Sequence, residues 1–305
     1  MAFSGSDAAF EGFRLVRRNP MALVAWTLLY AVVSLLSLFV MSNAIDTLVA
    51  WGERMEALEG TSPTPDEVLA AFQGLGQVML GFSWLIPVSL AVSAILMAAV
   101  ARGVLNPRAG GFGYLRFGMD ELRVFVVTLV LSILAFCAWI ALAIVIGVLA
   151  GVAGATGANW MWLVGLIAGL AGVAAIIWIA VRLSLAVPMT VAENRIAIFD
   201  SFGLTRGRFW SLFGMAVIAF VMVLVISLLS WVITLPLNLM IGTDIWGGNN
   251  DPEAIAAALD VTNPWVIVSA LAEAVIYALT VGVMYAPFAA AYRDLKGHGA
   301  ETPTA

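Results

Sequence analysis

Five stretches of this chain are nearly free of charge and each is long enough to cross a bilayer, which constrains its fold more than any other feature. They occupy residues 19–45, 68–101, 124–181, 209–243 and 261–292, and Glu273 is the one charged residue within them. A hydrocarbon core about 30 Å thick needs roughly 20 apolar residues per helical span. The run 124–181 is too long for one helix at about 1.5 Å rise per residue. Gly151, Gly154, Gly157 and Asn159 punctuate it, so it reads as two helices joined by a tight turn. Six spans result, at about 20–42, 78–101, 124–150, 161–187, 210–236 and 264–292. The fold class expected is an all-α, polytopic membrane helical bundle.

Composition excludes the main alternative. Hydrophobic residues make up 63% of the 305 positions and charged residues 11%, whereas a soluble domain carries about 25% charged residues. Mean hydropathy is +1.03. The first apolar run, from Pro20, is too long for a signal-peptide core and no short cleavage pattern follows it, so the first span is expected to remain in the protein.

The net charge of −5 says less than the placement of each sign. Arg14, Arg17 and Arg18 precede span one, and Arg102, Arg108, Arg116 and Arg123 lie between spans two and three. Arg182, Arg195, Arg206 and Arg208 border spans four and five, and Arg293 and Lys296 end span six. Thirteen of the 14 basic residues thus fall on one face, leaving Arg54 on the other. That other face carries Asp46, Glu53, Glu56, Glu59, Asp66, Glu67, Asp244, Asp251, Glu253 and Asp260. By the positive-inside rule both termini are expected to be cytoplasmic.

The chain also resembles itself. Phe10, Phe13, Leu15 and Arg17 recur as Phe199, Phe202, Leu204 and Arg206, each shifted by 189; Ala98, Ala99 and Arg102 recur as Ala289, Ala290 and Arg293, shifted by 191. A weaker middle copy begins at Phe112, with Leu115, Arg116 and Phe117 standing where Phe13, Arg14 and Leu15 stand, and it ends at Arg182. The expectation is one integral membrane domain over 1–305. It is built of three related hairpins (about 8–105, 110–190 and 197–296) around a pseudo-threefold axis, with a flexible polar tail at 297–305. Each unit opens with an aromatic and arginine-bearing segment suited to lying at the headgroup boundary as an interfacial helix. Thr64, Pro65, Asp66 and Glu67 spell a helix start with a capping box, and Asp251, Pro252 and Glu253 do much the same. Short outer helices are expected at 65–73 and 252–259.

Candidate chemistry is sparse. His298 is the one histidine and Cys137 the one cysteine, so neither a histidine-rich metal site nor a Cys/His nucleophile pair can be assembled. No phosphate-binding glycine loop, dinucleotide fingerprint or nucleophile elbow is present. No cofactor, metal or enzymatic activity is expected. The basic residues trace a membrane face rather than a nucleic-acid footprint. Glu273 stands nine residues into span six, where a carboxylate is costly. Two readings are open for it: a carboxyl tying neighbouring helices through groups such as Ser93, Ser230 or Tyr277, or a proton or cation pathway. Gly147 with Gly151, and Gly165 with Gly169, have the spacing that lets membrane helices approach closely, and predict tight contact of spans three and four.

From Arg182 to Gly214 the chain reads RLSLAVPMTVAENRIAIFDSFGLTRGRFWSLFG, and it closes its last span with YAPFAAAYRDL. On Arg182, Leu185, Pro188, Phe199, Ser201, Leu204, Thr205, Gly207 and Phe209 it resembles the bacterial glycerophosphoryl diester phosphodiesterase membrane-domain family. Asp200 stands where relatives often have glutamate. The resemblance implies a multi-spanning protein of the bacterial inner membrane. It does not imply hydrolysis, because in fused members the hydrolytic residues belong to a separate soluble barrel. The reading is a non-enzymatic module that binds or organises lipids or partner proteins, touching headgroups through Arg182, Arg206 and Arg208. The alternative is a small transporter or channel using Glu273.

Overall fold

A computed structural model describes residues 5–43, 50–52, 55, 58, 64–108, 111–158, 160–242 and 260–300. The chain begins with two short helices, α1 (Gly5–Ala9) and α2 (Glu11–Arg18), followed by α3 (Pro20–Asn43). Next come α4 (Pro65–Phe82), α5 (Leu85–Leu105), a 3-10 turn (Phe112–Tyr114), α6 (Met119–Thr156) and α7 (Trp160–Leu183). The chain continues as α8 (Ala186–Glu193), α9 (Asp200–Leu204), α10 (Phe209–Ile241) and α11 (Pro264–Ala300). No strand occurs among the described residues. Six helices are long and apolar enough to span: α3, α5, α6, α7 continued by α8, α10 and α11. This is an all-α, multi-pass membrane protein.

Local chemistry accounts for the helix ends. Thr64 accepts from the Glu67 amide at 3.4 Å while the Glu67 carboxylate accepts from the Thr64 amide at 2.7 Å, so α4 opens with a closed capping box. The Glu121 carboxylate likewise accepts from the Gly118 amide at 2.9 Å at the start of α6. That helix runs without interruption through Gly151 and Gly154 and stops at Gly157, whose φ of +65° is a left-handed conformation that glycine adopts without strain. Asn194, at φ +53°, closes α8 in the same left-handed conformation.

Two helix breaks differ from expectation and share one cause. The outer helix expected at 65–73 and the span expected from 78 are instead one helix to Phe82, a break at Ser83 and Trp84, and a new helix from Leu85. The fourth span breaks after Leu183 and resumes as α8. In each case a serine stands four residues before a proline: Ser83 before Pro87, and Ser184 before Pro188. Proline has no N–H for the carbonyl four residues back. Each serine hydroxyl turns to the carbonyl three residues back instead, at 2.8 Å. Pro236 and Pro287 have valines at that position, Val232 and Val283, and sit inside unbroken helices. The helix expected at 252–259 lies outside the described residues. In the tail expected from 297, α11 stays helical to Ala300.

The fold divides into two compact units. The first comprises residues 1–15, 94–220 and 283–305 and holds the complete α6–α7 hairpin; the second comprises 16–93 and 221–282. Leu96, Val100, Val124, Leu185, Leu212 and Met215 are fully buried in the first. In the second, Trp26 is fully buried against Gly282, where a side chain would come within 3.2 Å of its ring, and Tyr30 stacks on Tyr277 with centroids 3.8 Å apart. Large apolar side chains such as Phe136, Leu170 and Leu228 lie exposed along α6, α7 and α10, which suits a hydrocarbon surrounding. The α6–α7 contact runs through Gly169, near Ile146, and Gly172, where a methyl group would overlap Leu142. Gly147 and Gly151, expected at this contact, have nothing within 4 Å of where a Cβ would stand.

Candidate functional site

The first unit carries three arginines, each near the end of a helix that runs towards the basic loops, and each reaches the segment that opens the next hairpin. Arg102 of α5 donates to the Tyr114 carbonyl at 2.6 Å and pairs with Glu121. Arg182 of α7 donates to the Phe202 carbonyl at 3.2 Å and the Thr205 hydroxyl at 3.3 Å. Arg293 of α11 lies 3.8 Å from the Glu11 carboxylate of α2. The last of the three thus closes on the first segment of the chain. An arginine suits this role because its planar fork offers several donors at fixed angles to carbonyls and carboxylates.

The Arg182 clasp is reciprocal. Arg182 sits one residue before the end of α7, where carbonyls lose their helical partners. Its own carbonyl accepts from the buried Ser201 hydroxyl at 2.6 Å, and its guanidinium carbon lies 5.2 Å from the Trp178 ring centroid. A second group of charges joins α8 to α11: Glu193 accepts from Lys296 at 3.0 Å and Tyr292 at 3.1 Å, and pairs with Arg195 at 2.7 Å. At the N-terminus, the Arg14 guanidinium donates to Asp7 and holds that carboxyl below the usual carboxylate range.

Two cavities lie in this unit. The polar one, about 550 Å³, is bordered by Arg102, Asn106, Arg116, Tyr292, Arg293 and Lys296, with Asp120 as its one carboxylate. The apolar one, about 680 Å³, is walled by α5, α6, α7, α8 and α11 together with Phe199 and Phe202. Its lining includes Leu131, Ala135, Ala138, Trp178, Ile179 and Phe288. Leu134, Trp178, Ile179 and Phe199 are among its residues exposed at the molecular surface, so it opens onto an apolar exterior. Both volumes fall in the range of ligand pockets, about 300–1,000 Å³.

The residues singled out from sequence are placed unequally. Arg182 is half-buried; its Nη1 donates to protein groups and its Nε is buried without a partner, while Trp178 and Phe202, its neighbours, wall the apolar cavity. Arg206 and Arg208 are exposed, and no ion pair is formed by either among the described residues. Glu273 belongs to the second unit, and its side chain is exposed there. No hydrogen bond reaches its carboxyl among the described residues, so the ties to Ser93, Ser230 or Tyr277 are not made. One turn further along α11, Tyr277 borders a third cavity of about 320 Å³, with Tyr30, Ser34, Ser37 and Ser89. Among the described residues no group of three or more His, Cys, Asp or Glu side chains could hold a metal.

Sequence reasoning missed Glu121, Glu11 and Glu193. A usable signal was there: these acids interrupt the otherwise basic side of the chain, and a carboxylate on that side is conspicuous unless it has a cation to answer.

The chain so described is a multi-pass helical membrane protein with paired cavities at its arginine-bearing end. Residues 8–295 match a family described as a domain of unknown function (DUF7847), and the chain belongs to that family. No curated protein matches it. No solved structure matches it either.

Proposed function

We propose that this protein is a non-enzymatic membrane module that holds a lipid, with an acyl chain in the apolar cavity of the first unit and the basic end at the cytoplasmic leaflet of a bacterial inner membrane. The observation that carries this reading is the cavity itself: about 680 Å³, predominantly apolar in its lining and open onto the exposed faces of α6 and α7. In a bilayer that opening faces hydrocarbon, and the solute at hand is an acyl chain. The concentration of basic residues beside it supports the cytoplasmic assignment through the positive-inside rule. The likeness of the Arg182–Gly214 stretch to glycerophosphoryl diester phosphodiesterase membrane domains supports a lipid-facing role and a bacterial inner membrane. Its motif residues Arg182, Ser201 and Thr205 build the clasp that fixes Phe202 in the cavity wall. Lipid retention measured by mass spectrometry of the detergent-purified protein tests the reading. Wild-type protein is expected to retain phospholipid, and Ala135→Trp, which fills the cavity, is expected to lose it; equal retention by the two would refute it.

The Tyr30–Tyr277 cavity favours a second reading, a proton or cation path in the second unit. It collects five hydroxyl groups one helical turn from Glu273, within a segment otherwise suited to hydrocarbon. Proton-coupled uptake into liposomes that is lost in Glu273→Gln would support it, and identical behaviour of the two proteins would remove it.

A further inference from the structure

We infer that the polar cavity is a phosphate site, and that it holds the headgroup of the lipid whose chain occupies the apolar cavity. The inference rests on the lipid-binding reading above and adds the chemical class of the ligand.

Position is the first argument. Four helices, α5, α6, α8 and α11, border both cavities, and on three of them a residue lining the apolar cavity is followed four positions later by one lining the polar cavity. The pairs are Ala101 and Leu105 on α5, Pro188 and Ala192 on α8, and Ala289 and Arg293 on α11. Residues four apart lie on one face of a helix, one turn of about 5.4 Å along its axis. The two cavities therefore succeed one another along the same three helix faces, apolar first and polar at the basic end. An amphiphile has that order of chemistry, with its chain towards the hydrocarbon and its head towards the leaflet surface.

Charge is the second. Arg102, Arg116, Arg293 and Lys296 border the polar cavity against the single carboxylate of Asp120, and Asp120 is already paired with Arg123 at 2.8 Å. Three of these cations also pair with carboxylates, Arg102 with Glu121, Arg293 with Glu11 and Asp294, and Lys296 with Glu193, but none of those carboxylates is in the cavity lining, which presents four cations and one acid. Guanidinium groups match the tetrahedral oxygens of a phosphate with parallel N–H donors, and lysine adds a point charge.

The third argument is an unfinished donor. Arg102 is 6% exposed, yet its Nε is buried without a hydrogen-bond partner while its Nη atoms serve Tyr114 and Glu121. A buried N–H left in that state costs free energy; Arg182 Nε is orphaned in the same way but borders neither cavity, whereas Arg102 borders the polar one, where an acceptor such as an oxyanion can approach its guanidinium. Arg293 illustrates the other use of a cation at a helix end, donating to the Val104 carbonyl of α5 at 3.5 Å. Arg102 Nε has no such employment.

Binding of the full chain in detergent to three probes tests this. The probes are phosphatidic acid, diacylglycerol with the same chains, and inorganic phosphate, each titrated into wild type, Lys296→Gln, Arg116→Gln and Ala135→Trp. Lys296 and Arg116 are exposed, so their variants are expected to fold. Phosphatidic acid is expected to bind wild type at least about tenfold tighter than diacylglycerol, the worth of one charge-assisted hydrogen bond, and each cation variant is expected to shrink that ratio. Diacylglycerol affinity should stay unchanged in the cation variants and fall in Ala135→Trp. Stabilisation of wild type and Ala135→Trp by inorganic phosphate, absent in Lys296→Gln, would support the phosphate site with a soluble source of the anion. Equal affinity for phosphatidic acid and diacylglycerol, unaltered by the cation variants, would overturn the inference and leave the lipid reading standing. Failure of both lipids to bind would overturn the two together.

Discussion

Arg102 and Glu121 form an ion pair almost closed to solvent, their side chains 7% and 8% exposed, and it fixes the end of α5 to the start of α6. The same Glu121 caps the α6 amide of Gly118, and the same Arg102 holds the Tyr114 carbonyl. One arginine and one glutamate thus determine how the middle hairpin enters the first unit. A buried pair adds little over apolar packing, but removing one partner strands the other charge.

Glu121→Gln is therefore expected to destabilise the protein by about 3–5 kcal/mol, whereas the joint change Arg102→Met with Glu121→Met is expected to cost much less than either change alone. Unfolding of Glu121→Gln, the two single methionine variants and the double variant in detergent, followed by circular dichroism, checks the order. A double variant as unstable as the single ones would show that the pair stabilises by more than mutual charge cancellation.

At the Arg182 clasp, Ser201 is fully buried and its hydroxyl answers the Arg182 carbonyl. Ser201→Ala is expected to cost about 1–3 kcal/mol, the penalty for leaving a buried carbonyl without its donor. Arg182→Lys keeps the charge but loses the fork that spans Phe202 and Thr205, and should be destabilised as well. Thermal unfolding midpoints measured side by side test both.

How much of this was legible in the sequence depends on which physics speaks locally. The six spans are written in composition, because hydrocarbon excludes charge over lengths no loop would match. The α6–α7 turn was legible as a cluster of glycines, although only Gly157 needs its left-handed φ. Pro87, Pro188, Pro236 and Pro287 are legible as sites of bending, but only the first two accompany a helix break, and what separates them is a serine four residues before the proline. Of the two glycine pairs expected at the close helix contact, Gly165 and Gly169 lie at it, whereas Gly147 and Gly151 have the right spacing but face outwards, because spacing alone does not say which side of an apolar helix meets its neighbour. The recurrence of Arg102, Arg182 and Arg293 was legible, but what they hold was not. Their acceptors are backbone carbonyls and acids distant in sequence, which no local pattern records.

That contrast between glycines can be measured. Gly147→Leu should leave the unfolding midpoint nearly unchanged, whereas Gly172→Leu should lower it, because a side chain there must displace Leu142. Equal effects at the two positions would contradict the packing described.

The capping box of α4 predicts a pH response outside the membrane. Hydrogen bonds from the Thr64 amide and hydroxyl hold the Glu67 carboxyl below its usual range. A carboxylate depressed on folding contributes its full stabilisation above the ordinary carboxylate pKa and loses it as pH falls through the lower folded value. Amide exchange in the first turn of α4 should therefore be slow near neutral pH, after correction for intrinsic exchange rates, and lose protection below about pH 4. Glu67→Ala should remove that pH dependence.

Orientation is tested with single cysteines placed in a Cys137→Ser background. Cysteines at Arg206 and Arg208 should react with an impermeant thiol reagent only after the cytoplasmic side is opened, and one at Thr64 should react in intact cells. The reverse pattern would invert the assignment.

The central claim is that the apolar cavity of the first unit is occupied by a lipid chain. Photo-crosslinking in membranes, with a phospholipid carrying a diazirine along its acyl chain and sites mapped by mass spectrometry, tests it most directly. The account predicts adducts concentrated on the cavity walls, at 131–138 and 176–188, and depleted there by Ala135→Trp. Adducts spread evenly over the exposed faces, with Phe220, Leu224 and Leu228 of α10 labelled as heavily as the cavity, would contradict it.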